Sequence, residues 1–264
     1  MEKTVEVALI TGGSRGIGKA LAERMLREGK QVVIIGQDPE RLAQSRKDLS
    51  EDVLAIVADV SSLSDTRNVV EQIIGRFGQI DVLINNAGIT GATGPILDID
   101  PDEWWRTQEV NLRGVFNYAH CVLPHMVKRK SGAIFNMGSY VAIRPTPMAM
   151  AYSTSKAAVA RLTDSLALAV AEHGIDVFCL SPGLVETDMS RDAPPFQNLP
   201  ASAWSKPEQI GQLVMDILSR DCSGISGRFI TVNDDLDVIL NEAERVRAEG
   251  LFQLGMHGLE GRIE

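Results

Sequence analysis

Cysteine, positive charge and long apolar segments are all scarce in this sequence. Its three cysteines, Cys121, Cys179 and Cys222, are far apart and odd in number, so they predict neither a disulfide framework nor a zinc site. We therefore expect the reducing cytoplasm as its compartment. Lys and Arg total 26 against 35 Asp and Glu, a net charge of -9. This balance disfavours nucleic acid as a partner, because phosphate binding relies on clustered positive charge.

No apolar run approaches the length needed to cross a membrane, and residues 1–6 lack the apolar segment of a signal peptide. We expect no membrane partner. Repeats, low-complexity tracts and linkers are also missing, while the hydrophobic and charged contents, 44% and 23%, are ordinary for a globular protein. We expect residues 1–235 to form one domain that binds a dinucleotide and carries catalysis, with residues 236–264 as a helical extension or tail.

Short apolar segments alternate with amphipathic ones along the chain. The first strand is predicted at 5–10, and Ile17, Leu21 and Met25 then recur at the spacing of one buried helix face. Further strands are predicted at 32–35, 53–57, 82–84, 133–136, 177–180 and 228–232, and further helices at 39–49, 65–77, 101–126, 150–173 and 207–218. This order indicates right-handed βαβ units. It predicts a single-domain α/β fold with a doubly wound parallel sheet in three layers, α/β/α.

A glycine-rich loop, Thr11 to Gly18, joins the first predicted strand to the first helix. A helix start exposes unpaired N–H groups and the positive end of a dipole, which suits a pyrophosphate. Gly12 permits the tight turn, Gly16 lets the backbone approach the phosphate, and Gly18 allows close helix–strand packing. In this βαβ context the loop predicts dinucleotide binding.

Tyr152 and Lys156 stand four residues apart on a predicted helix, so both side chains share one face. A free phenol titrates near pH ~10, and a neighbouring ammonium stabilises the phenolate, which suits proton transfer near neutral pH. Ser139, upstream, is placed to hold a carbonyl or alcohol oxygen. An ordinary surface pair is the alternative for Tyr152 and Lys156. The two histidines His120 and His125 are not on one helical face, and no metal site is predicted.

Six motifs in order resemble the short-chain dehydrogenase/reductase family, in its single-domain branch, over about residues 5–232. They are Thr11 to Gly18, Asp59, Asn85-Asn86-Ala87-Gly88, Asn111, Ser139 with Tyr152 and Lys156, and Pro182-Gly183 with Thr187. The resemblance implies a Rossmann-type fold and an NAD(P)(H)-dependent oxidoreductase that interconverts a carbonyl and an alcohol on a small molecule.

The resemblance also implies roles for individual residues. Tyr152 would be the general acid or base, Lys156 would assist it and hold the nicotinamide ribose, and Ser139 would orient the substrate oxygen. Asn111 would bind a water that links Lys156 to solvent. The implied cofactor-binding residues are Gly12, Ser14, Arg15, Gly16, Ile17, Gly18, Gln37, Asp59, Val60, Asn86, Ala87, Gly88, Tyr152, Lys156, Pro182, Gly183, Val185 and Thr187.

Cofactor preference is read at the end of the second strand, where a carboxylate binds the ribose 2′-hydroxyl and repels a 2′-phosphate. Here Gly36 and Gln37 follow the strand, and Asp38 comes late for that task. Arg15, inside the glycine loop, resembles the basic residue of NADP-preferring relatives. We expect NADP(H) to be favoured over NAD(H).

The substrate wall is predicted to be mostly apolar, which favours a neutral or moderately hydrophobic carbonyl substrate. Its members are Thr90 to Thr93, Val141, Met148, Ala149, Val185 and Met189, with Phe196, Leu199 and Trp204 from a mobile lid at 188–205. Arg144 offers the alternative of a carboxylate on the substrate.

Two other functions are weighed against catalysis. A non-catalytic dinucleotide-binding regulatory or scaffold protein need not keep Asn111, Ser139, Tyr152 and Lys156 together, and a lyase or epimerase is disfavoured by the glycine spacing.

The resemblance implies a homodimer or homotetramer, with the dimer formed by the long helices at 115–126 and 157–168. In the tail, 241–249 is predicted to be helical. Leu236, Ile239 and Leu240, within 234–249, form one narrow apolar stripe that would stabilise little alone, so we expect residues 236–256 to dock on a neighbouring subunit near the lid. A disordered tail is the alternative.

Overall fold

Seven parallel strands form the main sheet of this computed structural model, in the order β3-β2-β1-β4-β5-β6-β7. The structure describes residues 6–144, 146–188, 190, 199–255, 257–258 and 261–262. The strands are β1 (Val7–Thr11), β2 (Gln31–Gly36), β3 (Leu54–Val57), β4 (Val82–Asn85), β5 (Gly132–Met137), β6 (Ile175–Ser181) and β7 (Phe229–Thr231), with a separate antiparallel pair, β8 (His257–Gly258) and β9 (Gly261–Arg262). The predicted doubly wound α/β fold is confirmed.

Helices cover both faces of the sheet. They are α1 (Gly16–Arg27), α2 (Pro39–Leu49), α3 (Leu63–Phe77), α4 (Pro101–Gln108), α5 (Gly114–Arg129), α6 (Met150–Val170), α7 (Pro207–Leu218), α8 (Leu236–Asn241) and α9 (Ala243–Ala248). Alternate residues of β1 enter two cores: Ile10 packs with α1 and α7, whereas Leu9 packs with α3, α5 and α6. Strands buried on both faces explain why the sequence shows short apolar runs. Among the described helices, none is both long and apolar enough to cross a bilayer.

The strand order reverses between β1 and β4, because β2 and β3 lie on one side of β1 and the later strands on the other. In an open parallel sheet, such a reversal leaves a crevice at the carboxyl ends of the strands. The glycine loop leaves β1 at this point, and the segment after β4 begins at Asn86. The topology therefore brings the two segments together.

The helix predicted at 101–126 is interrupted, which corrects the sequence-based expectation. A π-helical segment, Glu109–Arg113, separates α4 from α5. Asn111 lies inside it, and its amide bonds both the N–H and the C=O of Ile89 at 2.8 and 2.9 Å. A π segment widens the turn and re-aims the side chains that follow. The interruption thus accompanies the attachment of Asn111 to the loop after β4, a contact 22 residues away in the chain.

The C-terminal extension packs on its own chain, which removes the reason for expecting residues 236–256 to dock on a neighbouring subunit, and that docking stays a prediction. Leu236, Ile239 and Val246 are buried in the same core as α1 and α7. Phe229 N–H in β7 donates to Phe252 O at 2.8 Å. The helix predicted at 241–249 is observed as α9, Ala243–Ala248, and a separate short helix, α8, precedes it and ends at Asn241. The narrow apolar stripe is sufficient to stabilise the extension because its side chains pack against the core between the sheet, α1 and α7.

Ile239→Ala is expected to lower the free energy of unfolding by about 2–4 kcal/mol, since it leaves a cavity in a closed core. Ile239 is 4% exposed, whereas its neighbour Val238 is 58% exposed. Val238→Ala is therefore the matched control and is expected to change stability by ~0.5 kcal/mol or less. Urea unfolding of both variants measures the difference. Equal values for the two would show that the extension does not contribute to the core.

Candidate active site and cofactor cleft

An open cleft of about 600 Å³ lies where the strand order reverses, within the range of about 300–1,000 Å³ typical of ligand sites. The glycine loop, the ends of β2 and β3, the loop after β4, the start of α6 and the segment after β6 all contribute to its wall. Tyr152 and Lys156 stand in this same wall. The predicted dinucleotide-binding loop and the predicted proton-transfer residues are therefore parts of one cleft.

The backbone of the glycine loop lies in close contact with the backbone of the segment after β4. Gly12 has a φ of +65°, and a Cβ there would lie 2.9 Å from Ala87 Cα. A Cβ on Gly18 would lie 2.2 Å from Gly12 O. Asn86 fastens the loop by donating from Nδ2 to Thr11 O at 2.9 Å and to Gly12 O at 3.1 Å. The glycines are required because a side chain would separate this loop from the segment after β4.

The start of α1 faces the cleft without a side-chain cap. Its N-cap residue, Arg15, makes no capping hydrogen bond, and no acidic residue stands in the first turn. Gly16, Ile17 and Gly18, the first three residues of the helix, all line the cleft. Uncapped N–H groups and the helix dipole favour an anion at this position. The loop therefore fits the pyrophosphate of a dinucleotide.

Tyr152 and Lys156 lie on the first two turns of α6, as the spacing predicts. Lys156 Nζ is 5.6 Å from the centre of the Tyr152 ring and donates to Met137 O at 2.7 Å. Lys156 is only 4% exposed, so β5 holds its ammonium in a fixed place. A Cβ on Gly88 would stand 3.8 Å from Lys156 Nζ. The ammonium is thus enclosed by β5, the loop after β4 and the tyrosine ring.

Ser139 and Asn111 adjoin or belong to segments that pack on α6. Ser139 follows β5 and starts a short turn, Tyr140–Ala142, that packs on α6. Asn111 Nδ2 donates to Ser155 Oγ at 3.0 Å, and Ser155 Oγ donates to Tyr152 O at 2.7 Å. This chain of bonds connects the π segment to the backbone of the tyrosine. Asn111 thereby braces the start of α6, an arrangement that the sequence did not predict.

Most of the predicted cofactor-binding residues line the cleft; the exceptions are Asp59, Gly183 and Val185. Gly183 packs against Ser205, where a Cβ would lie 2.2 Å from Ser205 Oγ. Val185 is buried and forms a β-bridge with Ser205. Asp59 turns its carboxylate to Ser61 and Arg106. Arg41 and Arg106 line the cleft and were missed, because neither belongs to a local motif.

Asp38, considered above as a possible ligand of the ribose 2′-hydroxyl, caps a helix in the structure. Its Oδ1 accepts from the N–H groups of Glu40 and Arg41 at 3.1 and 3.0 Å and so caps α2. Pro39 occupies the first position of this helix, where its missing N–H is not needed. Arg41 Nε stands 3.7 Å from the other carboxylate oxygen. The carboxylate at this end of the cleft is therefore already paired.

Part of the predicted substrate wall belongs to the turns after β4 and β5. Gly94 N–H donates to Met148 O at 2.9 Å, which joins the segment 90–95 to the entry of α6. Tyr140, Ile143 and Met148 are all about half exposed. The Arg144 guanidinium lies 4.9 Å above the Tyr140 ring. Met189 and Phe196 of the predicted wall lie outside the described residues, as does half of the predicted lid at 188–205.

Comparison with known proteins agrees with this arrangement. The family model for short chain dehydrogenases matches residues 6–198. The 3-oxoacyl-(acyl-carrier-protein) reductase of Thermotoga maritima is 32% identical over 240 residues, covering 88% of this chain and 97% of that protein. The chain belongs to the short-chain dehydrogenase/reductase family, and it is an NAD(P)-dependent oxidoreductase.

Solved structures of relatives contain either cofactor. Xylitol dehydrogenase bound to NAD+ superimposes with a TM-score of 0.79 at 27% identity, covering 87% of this chain and 98% of that one. A gluconate 5-dehydrogenase from Burkholderia cenocepacia, in complex with NADP and tartrate, has a TM-score of 0.78 at 31% identity, covering 86% and 92%. Relatedness alone therefore does not determine which cofactor this chain prefers.

Proposed function

We propose that this enzyme is an NADP(H)-preferring carbonyl reductase or alcohol dehydrogenase for a small neutral or moderately hydrophobic substrate. The observation that carries the proposal is the position of Tyr152 and Lys156 in the wall of the cleft that also contains the uncapped start of α1. A protein that only bound the dinucleotide would have no need of a buried lysine facing a tyrosine ring at that place. The catalytic roles follow from these contacts.

The bound nicotinamide supplies the hydride in reduction and accepts it in oxidation. Tyr152 Oη gives its proton to the substrate oxygen in reduction and takes it back in oxidation. Lys156, held by Met137 O, stabilises the negative charge that develops on Tyr152 Oη as the proton leaves. Ser139 orients the substrate oxygen. Asn111 keeps the first turn of α6 in place through Ser155 and, as the family resemblance implies, binds the water that links Lys156 to solvent.

Two guanidinium groups at the far end of the cleft support the preference for NADP(H). Arg15 and Arg41 both line that end, together with Gln37. Asp38 is engaged as the cap of α2, so its charge is partly neutralised by its hydrogen bonds and by Arg41. Arg15 forms an exposed ion pair with Asp188 at 2.6 Å. Such a pair contributes little stability, so a 2′-phosphate is expected to displace it.

Arg15→Ala is expected to weaken NADP(H) binding more than NAD(H) binding, by about 1–3 kcal/mol, the contribution of one charged hydrogen bond. Dissociation constants for both cofactors, measured by titration of the free enzyme, give the difference. Arg24→Ala is the matched control, because Arg24 lies on α1, the helix that follows Arg15, and bonds Glu28 and Gln212. Equal losses for the two cofactors in Arg15→Ala would rule out a contact between Arg15 and the 2′-phosphate.

The border of the substrate end supports the proposed substrate class. Its exposed side chains, Tyr140, Ile143 and Met148, are mostly apolar. A cation beside them, Arg144, stacks on the Tyr140 ring and is still able to meet a carboxylate. We therefore propose a compact carbonyl compound with an apolar substituent.

A homodimer or homotetramer is proposed as the assembly. Phe116 on α5 and Leu168 on α6 are 50% and 79% exposed, and both lie in the segments expected to form the dimer. The residues at 115, 119, 122 and 126, in contrast, are buried within the chain. Mass measurement in solution tests the assembly.

The function is tested by following absorbance at the nicotinamide band. Purified protein is incubated with NADPH or NADH and a panel of neutral ketones and aldehydes, and with the oxidised cofactors and the matching alcohols. We expect turnover with NADPH on apolar carbonyl compounds. Tight cofactor binding with no turnover across the panel would favour the alternative, a non-catalytic dinucleotide-binding protein.

A further inference from the structure

Residues 251–255, which follow α9, connect the last strand of the main sheet to α6. The Phe229 N–H group in β7 donates to Phe252 O at 2.8 Å, and Arg161 Nη2 on α6 donates to Leu254 O at 2.6 Å. Phe252 has a φ of +57°, a conformation that a bulky residue keeps only where its surroundings hold it. This segment, the tail brace, is therefore fixed at β7 and at α6.

The side chain of Leu254 packs against a small apolar cluster that joins α6 to β6 and β7. The buried members of the cluster are Val115, Ala142, Val159, Ala160, Cys179 and Phe229. Ala142 N–H donates to Ser139 O at 2.9 Å, so the cluster includes the turn that follows Ser139. Val159 lies on α6, three residues after Lys156. The tail brace thus packs on the cluster shared by the segments of the predicted substrate-orienting and proton-transfer residues.

Gly138, which lines the cleft, stands directly against two members of this cluster. A Cβ on Gly138 would lie 2.7 Å from Cys179 Sγ and 2.9 Å from Phe229 Cε2, both closer than side-chain carbons approach other atoms. Gly138 N–H also donates to Leu180 O at 2.8 Å. The backbone that leads into Ser139 therefore rests on the Phe229 ring, and Phe229 is the residue whose N–H group the tail brace accepts.

We propose that the tail brace positions Ser139 for the substrate oxygen, with Leu254 as a positioning residue that acts through the cluster and the Gly138 backbone. Such support matters because a misplacement of about 1 Å, caused far from the reacting atoms, can cost ~10²-fold in rate. The six family motifs end at Thr187, so this support comes from outside the family pattern. The inference rests on the proposed role of Ser139 and deepens the proposed function.

The rest of the extension packs elsewhere, which separates positioning from stability. Ile239 is buried in the core beside α1 and α7, whereas Leu254 packs against the cluster beside Gly138. Truncation at either position removes apolar packing from the extension. Because only the Leu254 substitution alters the cluster under the substrate-orienting turn, Ile239→Ala is the matched control.

The test compares Leu254→Ala, Ser139→Ala and the double variant in the full chain, with NADPH and the neutral ketone or aldehyde that wild type reduces fastest. Leu254→Ala is expected to lower kcat/KM by ~10–100-fold, while the dissociation constant of NADPH stays at its wild-type value. In the Ser139→Ala background the same substitution should have little further effect, because residues that act through one group are not additive. Leu254→Met keeps most of the side-chain volume and is expected to restore kcat/KM.

The controls distinguish positioning from a general loss of stability. Ile239→Ala is expected to keep the wild-type kcat/KM at a temperature where it is fully folded. If Leu254→Ala does not fold, Arg161→Gln keeps the test, since the Arg161 side chain is 58% exposed and its loss removes the bond to Leu254 O. The same fall in kcat/KM is then expected. Asp164→Asn controls for the ion pair that Arg161 also forms, at 3.0 Å.

Three results would overturn the inference and leave the proposed reaction intact. They are a wild-type kcat/KM in folded Leu254→Ala, an equal loss of kcat/KM with and without Ser139, and the same loss in Ile239→Ala. An unchanged kcat/KM in Ser139→Ala would overturn the role of Ser139 and the inference with it. Absence of turnover by wild type across the panel of carbonyl compounds would overturn the proposed function itself.

Discussion

Tyr152→Phe is expected to lower kcat by ~10²–10⁴-fold, the range for loss of a general acid or base. The substitution removes only the phenolic hydroxyl. The ring beside Lys156 Nζ stays, and the bond from Ser155 Oγ goes to the backbone carbonyl of residue 152. The start of α6 should therefore keep its geometry. Cofactor affinity is expected to remain within a small factor of wild type.

The control for this variant is Tyr140→Phe. Tyr140 is also close to Ser139, and its ring stacks with Arg144 at 4.9 Å, but its side chain is about half exposed. Steady-state kinetics on the best substrate and cofactor titration separate the two tyrosines. Near-normal turnover in Tyr152→Phe would refute the proposed proton transfer. A comparable loss of kcat in Tyr140→Phe would instead assign the proton transfer to the Tyr140 hydroxyl.

Lys156→Met is expected to lower kcat by about 10²–10³-fold, as for removal of one electrostatic stabiliser of the transition state. Methionine keeps much of the buried volume but removes the charge that faces the tyrosine ring. The same variant should bind the cofactor about 10–100-fold more weakly, because a charged hydrogen bond to the nicotinamide ribose is lost. Kinetics and titration of the free enzyme measure the two effects separately.

Lys156→Met also requires a measurement of stability, and its two expected effects can fail separately. Met137 O loses the donor that now reaches it at 2.7 Å, so thermal unfolding without cofactor is needed to record any loss of stability. If turnover falls while cofactor affinity is unchanged in a folded variant, the proposed ribose contact is wrong. An unchanged rate would contradict the electrostatic role.

Local signals were sufficient for most element boundaries. Pro39 predicts the start of α2 and Pro207 the start of α7, and both helices begin there. The alternation of short apolar strands with amphipathic helices allows few topologies, since parallel crossovers are right-handed. The position of the cleft follows from this, because the glycine loop must leave the first strand at its carboxyl end. The order of the strands in space required the structure.

Other features depend on contacts that no local pattern records. The π segment accompanies the bonds of Asn111 to Ile89, and the tail is stable because α8 and α9 meet the core beside α1 and α7. The sequence interpretation treated the tail stripe as too narrow because it considered the helix alone. Whether an amphipathic helix is stable depends mainly on what its apolar face meets.

The sequence by itself determined the glycine loop and the pairing of Tyr152 with Lys156, because each rests on residues that are near neighbours in the chain, and it determined the family through the order of six such local motifs. Tertiary structure alone decided what surrounds them. Arg106 meets Asp59 across 47 residues, and Arg15 meets Asp188 across 173. Hydrogen bonds and ion pairs act over a few ångströms in space and carry no sequence periodicity. Periodicity and spacing therefore locate the chemistry, while only the folded chain shows which side chains position it.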